Sequence, residues 1–166
     1  MKLSILIVED EAPVRAALTR DLAQFASTVR IEVAEDVDDA KEVVDEIVVD
    51  GDIVALILCD HRLPGMSGVD YLIETAHDPR LKRSKKVLVT GQAGHEDTIR
   101  AINLAHINHY VAKPWHIEKL TRTVRDQLTD FVIENAINPL PHLKVLDSTR
   151  AMDSLRQSTD AWGRHT

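Results

Sequence analysis

The sequence predicts an α/β fold: a doubly wound parallel sheet with helices on both of its faces. Three observations carry that prediction. Short apolar runs rich in β-branched residues recur along the chain, stretches of helical period separate them, and the two clearest runs, Leu3–Val8 and Ile53–Cys59, end abruptly in carboxylates. Continuous apolar runs of this length read as strands buried on both faces, as in a parallel sheet.

Taken in order, the third strand signal is residues 86–90, closed by Gly91, and residues 28–34 and His109–Ala112 are weaker ones. Residues 12–25 place Val14, Ala17, Leu18, Leu22 and Phe25 on one helical stripe, with Pro13 in the first turn where its missing N–H does no harm. Residues 38–49 align Ala40, Val43, Val44 and Ile47, and Asp36 or Asp38 offers the N-cap oxygen. Residues 69–76 follow the turn Pro64-Gly65-Met66-Ser67-Gly68, and residues 93–105 and 116–135 complete the helices. Five strands alternating with five helices make the parallel sheet the economical solution.

A length of 166 residues fits one domain with some extra chain. The formal net charge of −7 argues against a phosphate-backbone footprint, so direct nucleic-acid contact is not expected. Cys59 is the sole cysteine, which excludes an intrachain disulfide and a Cys-based zinc cluster. The amino-terminal apolar run meets Glu9-Asp10-Glu11 too soon for a signal peptide, and no run approaches the roughly 20 residues of a membrane helix. A cytoplasmic protein without a membrane partner is the expectation.

Asn138-Pro139-Leu140-Pro141 breaks the alternation. Beyond it, Leu143, Leu146, Met152 and Leu155 recur at loosely helical spacing, so the tail reads as an amphipathic helix or as a flexible terminus. The division expected is 1–130 for the domain and 131–166 for a helix 5 extension with the tail. Within helix 5, Ile117, Leu120, Val124, Leu128, Phe131 and Asn135 form one stripe about 30 Å long. A domain core covers only its first part. Phe131, Val132 and Ile133 then need a further partner: the folded-back tail, a second subunit or an output domain. Homodimerisation through this extension is the expectation carried forward.

Open α/β sheets bind ligands outside the carboxyl ends of their strands. Those ends carry Glu9 and Asp10, Asp60, Thr90 and, just past the fifth strand, Lys113. Crowded carboxylates are costly unless a cation offsets them, and Mg²⁺ with oxygen ligands is a suitable one. Asp60 can then attack phosphorus as a nucleophile, Lys113 can offset charge on the phosphoryl oxygens, and Thr90 can donate a hydrogen bond to the new group. Each residue also has a bland reading: solvated loop acids for Glu9 and Asp10, a turn residue for Asp60, a strand end for Thr90, a surface lysine for Lys113. All of these would have to hold together for the site to vanish.

Glu9-Asp10, Asp60, Thr90 and Lys113-Pro114, in this order, resemble the signature of response-regulator receiver domains. Thr90 follows Asp60 by 90 − 60 = 30 residues and Tyr110 precedes Lys113 by 113 − 110 = 3, both similar to the family's spacing. Asp60-His61-Arg62-Leu63-Pro64-Gly65-Met66-Ser67-Gly68 is similar to its phosphoacceptor loop. The likeness covers about residues 3 to 130. It implies a flavodoxin-like sheet of strand order 2-1-3-4-5. It further implies phosphorylation of Asp60 by a sensor histidine kinase or a phosphotransfer protein. Mg²⁺ would be held by Asp10, Asp60 and the main-chain carbonyl of Arg62, with Glu9 acting partly through water. Phosphorylation would draw Thr90 inward and let Tyr110 turn in, repacking the helix 4/strand 5/helix 5 face that a downstream protein or output domain reads. The Lys113–Pro114 bond looks like the family's cis bond.

Some positions depart from that pattern or stay open. Gly91 stands where many members have alanine, and His61 and Arg62 border the acceptor. Tyr110 on a short strand is by itself more simply core filling. His106 and His109 lack the partners a metal site needs. Arg80, Lys82, Arg83, Lys85 and Lys86 form a basic cluster that reads first as a solvated loop and second as a meeting point for an acidic surface. A signalling module rather than a metabolic enzyme is expected. The rivals are a Mg²⁺-dependent phosphohydrolase, against which Arg62 stands where a general acid would sit, and a receiver-like scaffold that is never phosphorylated.

Overall fold

The apolar runs become β1 (Leu3–Val8) and β3 (Ile53–Cys59), which lie side by side near the middle of one parallel sheet with β4 (Lys85–Thr90), while β2 (Arg30–Ala34) and β5 (His109–Ala112) form its edges. The structure, a computed structural model, describes residues 1–91 and 95–163, without the side chains of His95 and Trp162. The strand order is β2-β1-β3-β4-β5 and every pairing is parallel, the flavodoxin-like arrangement expected.

The two-residue period of β1 explains both layers. Leu3, Ile5 and Ile7 point into one core with Leu18 of α1 (Ala12–Asp21) and Leu120, Val124 and Leu128 of α5 (Ile117–Glu134). Leu6 and Val8 point into the other with Ala40, Val44 and Ile47 of α2 (Val37–Val49) and Val69 and Leu72 of α3 (Gly68–Thr75). Asp36, not Asp38, caps α2: its side chain accepts the Asp39 N–H at 2.7 Å.

Element ends differ from the sequence reading where local hydrogen bonds intervene. α1 stops at Asp21, and a 3₁₀ turn over Ala23–Ser27 carries Phe25 into the core. The Val29 N–H donates to the Phe25 carbonyl at 2.9 Å, which keeps residues 28–29 out of β2. α4 is regular over His95–Arg100, then widens to a π turn over Ala101–Ala105 that buries both alanines and ends at His106 with φ 54°. The start expected for it at residue 93 lies outside the described residues.

α5 continues without a break through Asp130 to Glu134. After the Asn138–Pro141 break, a 3₁₀ turn (Leu140–Val145) leads into α6 (Ser148–Gly163). Val145, Leu146 and Ala151 are buried in the same core as Phe131 and Val132. Burying a Val or Leu side chain stabilises by about 1.5–3 kcal/mol, so this contact contributes to seating the tail. Polar contacts set its register: Thr129, fully buried, accepts the Asp147 N–H at 2.9 Å, and Asp147 in turn accepts the Arg150 N–H at 3.2 Å at the start of α6. Arg125 donates to the carbonyls of Lys144 and Leu146 at 3.3 Å each while lying over the Phe25 ring. The tail, one of the three covers anticipated for Phe131, Val132 and Ile133, packs into the core with the first two, and Ile133 stays half-buried. Among the described residues no helix is long and apolar enough to cross a membrane.

Candidate functional site

Strand register, not sequence proximity, assembles the site. Val8 pairs with Cys59, so the residues that follow them, Glu9 and Asp60, leave the sheet side by side. The Glu9 N–H donates to Ala34 O and the Asp60 N–H to Val8 O, both at 3.0 Å, which holds each acid at a defined height. Thr90 pairs with Ala112 at the end of β4, which places Lys113 one residue past the end of β5.

Glu9, Asp10 and Asp60 bring one carboxylate oxygen each to within 4.8 Å of one another. Glu9 is 1% exposed and Asp60 6%, whereas Asp10 faces solvent. The Lys113 ammonium donates to Glu9 Oε2 at 2.7 Å and to Asp60 Oδ2 at 3.0 Å. Burial pushes the Glu9 carboxyl above the ordinary range, and the Lys113 hydrogen bond offsets only part of that. Burial works against the Lys113 ammonium, but its hydrogen bonds to Glu9 and Asp60 prevail and hold its pKa above the usual lysine value. Three acids against one cation leave a net negative, oxygen-rich crevice. That donor set suits a hard divalent ion.

Arg62 lies two residues beyond the acceptor, with its amide 3.4 Å from Asp60 Oδ1. Thr90 is 2% exposed at the end of β4. Tyr110 sits on the edge strand, 37% exposed, with its hydroxyl donating to the Thr90 carbonyl at 2.9 Å. The same carbonyl accepts the Lys113 N–H at 3.3 Å. Tyr110, Thr90 and Lys113 are therefore joined through one peptide oxygen. The Lys113–Pro114 bond is cis.

Sequence reasoning missed Arg15, and it named His61 and Gly68 only as neighbours of the acceptor without their contacts. Arg15 on α1 donates to the carbonyls of Glu9 at 2.8 Å and Asp10 at 3.3 Å and so clamps the chain just past β1. Its only signal was its place one turn into the helix after the acidic pair. His61 stands 3.2 Å from Asp97 on α4, which ties the acceptor loop to that helix. Gly68 closes the acceptor loop: a Cβ there would stand 1.7 Å from the Asp60 carbonyl oxygen, so only glycine fits. The turn context pointed to Gly68, but the overlap is visible only in three dimensions.

The fold and this crevice define a doubly wound α/β protein with an acidic ligand site at the carboxyl ends of its strands. The family model for the response regulator receiver domain matches residues 5–125, and the chain belongs to that family. It is 32% identical over 126 residues to the hydrogenase transcriptional regulatory protein HoxA of Bradyrhizobium diazoefficiens, a match covering 74% of this chain and 23% of that protein. It is 34% identical over 68 residues to the chemotaxis protein CheY of Pseudomonas aeruginosa, covering 41% of this chain and 54% of that one. The chain thus spans about a quarter of the length of HoxA. Among solved structures, a CheY-like response regulator receiver domain protein from Methanospirillum hungatei superposes with a TM-score of 0.68 at 25% identity, covering 81% of this chain and 99% of that one. The signal receiver domain of an HD domain-containing protein from Pseudomonas fluorescens gives 0.69 at 22% identity, covering 81% and 93%, a likeness of fold.

Proposed function

We propose that this receiver accepts a phosphoryl group on Asp60 from the phosphohistidine of a sensor kinase or phosphotransfer protein and transmits the change to a downstream protein. The observation that carries this reading is the meeting of Glu9, Asp10 and Asp60 within 4.8 Å, with the Lys113 ammonium 3.0 Å from Asp60. One oxygen of Asp60 forms the bond to phosphorus as the phosphorus–nitrogen bond of the donor breaks and the imidazole leaves. Glu9, Asp10, Asp60 and the main-chain carbonyl of Arg62 would hold Mg²⁺. When bound, the ion offsets negative charge on the phosphoryl oxygens. Lys113, already at Asp60, follows the charge onto the new phosphoryl group. Thr90 turns its hydroxyl toward that group, and Tyr110, released from the Thr90 carbonyl, turns inward.

The partner would read the face of α4, β5 and α5, where Tyr110 lies. This is a population shift of a two-state surface driven by one charged group. The chain acts as a switch with self-phosphorylation chemistry, not as a metabolic enzyme, and works in the cytoplasm. Residues 131–166 act as an extension of the receiver body 1–130, and what supports this is the packing of Val145, Leu146 and Ala151 in the same core as Phe131 and Val132. A homodimer through this extension would have to use the outer face of the docked tail, because Phe131 and Val132 are already covered.

Intact-mass analysis after incubation with acetyl phosphate tests the proposal, with and without Mg²⁺, on the wild type and Asp60→Asn. One phosphoryl adduct that needs both Mg²⁺ and Asp60 is expected. Steady phosphate release without an adduct, traced to Asp60 and continuing with other phosphoesters, would favour the phosphohydrolase instead. Neither adduct nor release would leave a scaffold.

A further inference from the structure

The opposite end of the sheet carries a second charged feature that Asp60 chemistry does not use. β4 begins with Lys85 and Lys86 and ends with Thr90, so Lys86 lies about 13 Å along the strand from the acidic crevice. A cleft of about 450 Å³ opens there, lined by Lys82, Arg83, Lys85, Lys86 and His106, with Glu134 as its single carboxylate. Glu134 is taken up by Lys85 at 2.6 Å. Lys82 and Arg83 are exposed, and neither makes an ion pair among the described residues. Lys86 is 2% exposed, yet among the described residues its ammonium meets only neutral oxygens, the carbonyls of Ser84 at 3.1 Å and Leu81 at 3.4 Å. An ammonium has three protons to donate, so two carbonyls leave one over.

A buried cation is normally paired or neutralised, and among the described residues no carboxylate pairs with Lys86. The concentration of positive charge is also local, since the whole chain carries −7. The cleft's volume lies in the range of small-molecule sites and is too small for a folded partner. An anion that fits must be compact and multiply charged, because three cations remain after Lys85 is matched with Glu134. Vicinal phosphates meet both conditions better than a lone carboxylate. We propose that this cleft binds a diphosphate group, free or carried by a nucleotide, through Lys82, Arg83 and Lys86.

The test uses the full chain in dilute salt with chelator and no divalent ion, so that the acidic crevice repels the probes. Pyrophosphate and ADP are titrated separately by calorimetry into the wild type, Asp60→Asn and the double variant Lys82→Glu/Arg83→Glu. Both altered lysine-arginine positions are exposed, so the fold survives, and circular dichroism checks it. Binding to the wild type and to Asp60→Asn alike, weakened about tenfold or more in the double variant and by added salt, is the expected result. Equal affinity for the two probes assigns recognition to the diphosphate alone, and tighter ADP binding adds a nucleoside contact. Failure of both probes to bind at millimolar concentration would overturn the proposal. So would binding undiminished in the double variant, or binding confined to long polyanions such as heparin.

Discussion

Each end of the sheet holds a lysine withdrawn from solvent, Lys113 partly and Lys86 almost fully, and the two differ in electrostatic state. Lys113, at the carboxyl end, meets two carboxylates at 2.7 and 3.0 Å and is held above the ordinary lysine pKa. Lys86, at the amino end, meets only two carbonyls among the described residues, and burial, with Lys85 nearby, lowers it to about 8. Burial opposes the charged form at both positions. What decides the outcome is whether a formal negative charge lies within hydrogen-bond reach. The same comparison explains the acids. Glu9 is 1% exposed and is pushed up by burial, but Lys113 limits the rise. One end of the sheet is a compensated cluster short of one cation, and the other is a cation cluster short of an anion.

The largest effect follows from breaking the compensated end. Lys113→Met leaves Glu9 and Asp60 adjacent and buried without their shared ion-pair partner. Removing one partner of a buried pair costs about 3–5 kcal/mol, and this site keeps some solvent access, so about 3 kcal/mol is expected from chemical denaturation at neutral pH. Part of it should return in acid, where Glu9 protonates early. Phosphorylation by acetyl phosphate should slow about 100-fold or more, as when one donor to a developing charge is removed. An unchanged rate would mean that Lys113 only supports the fold.

The amino end behaves in the opposite sense. Lys86 has a folded-state value of about 8 against 10.5 in the free side chain, so the unfolded chain binds more protons between those pH values. Wild-type stability therefore carries the full cost of charging Lys86 below pH 8 and recovers it as pH rises toward 10.5, by up to about 3 kcal/mol. Lys86→Met should lose that pH-dependent gain and be relatively most stabilised near neutral pH. Unfolding curves at pH 7 and pH 10 measure it, and parallel curves for the two proteins would remove Lys86 as a strained cation.

The smallest effect concerns Glu9. Metal binding needs the deprotonated carboxylate, and Glu9 takes up its proton at a higher pH than an ordinary Glu. The affinity for Mg²⁺ should therefore begin to fall at a higher pH than an ordinary carboxylate would dictate as the solution is acidified. Glu9→Gln should bind more weakly throughout but with a flatter dependence. Calorimetric titration across mildly acidic pH distinguishes this from a site governed by Asp10 and Asp60 alone.

Much of the sheet was legible because a strand buried on both faces must be apolar throughout, as Leu3–Val8 and Ile53–Cys59 are. The acids that end those runs were equally legible, since a carboxylate after a buried strand marks its exit. The edges were harder. β2 mixes Arg30 and Glu32 with apolar residues, and Arg30 pairs with Glu32, Asp50 and Asp52, three acids spread along the sequence. The tail stayed open between helix and flexible terminus because its apolar residues are sparse. It became definite through the burial of Val145, Leu146 and Ala151 beside Phe131 and Val132 and through Thr129 and Arg125, polar residues on α5 whose partners lie about 20 positions away.

From composition, period and spacing follow the α/β class and the set Glu9, Asp10, Asp60, Thr90 and Lys113, and the resemblance to receiver domains added Tyr110. Each of these rests on short-range pattern or on an ordered series of motifs. Tertiary structure alone decided the rest: the register that sets Glu9 beside Asp60, the Arg15 clamp, the fit of Gly68 against the Asp60 carbonyl, the docking of α6 on α5, and the absence of any carboxylate at Lys86 among the described residues. Those features depend on distances between residues remote in sequence. Hydrogen bonds and charge interactions act over a few ångströms, so no one-dimensional pattern contains them until the chain has folded.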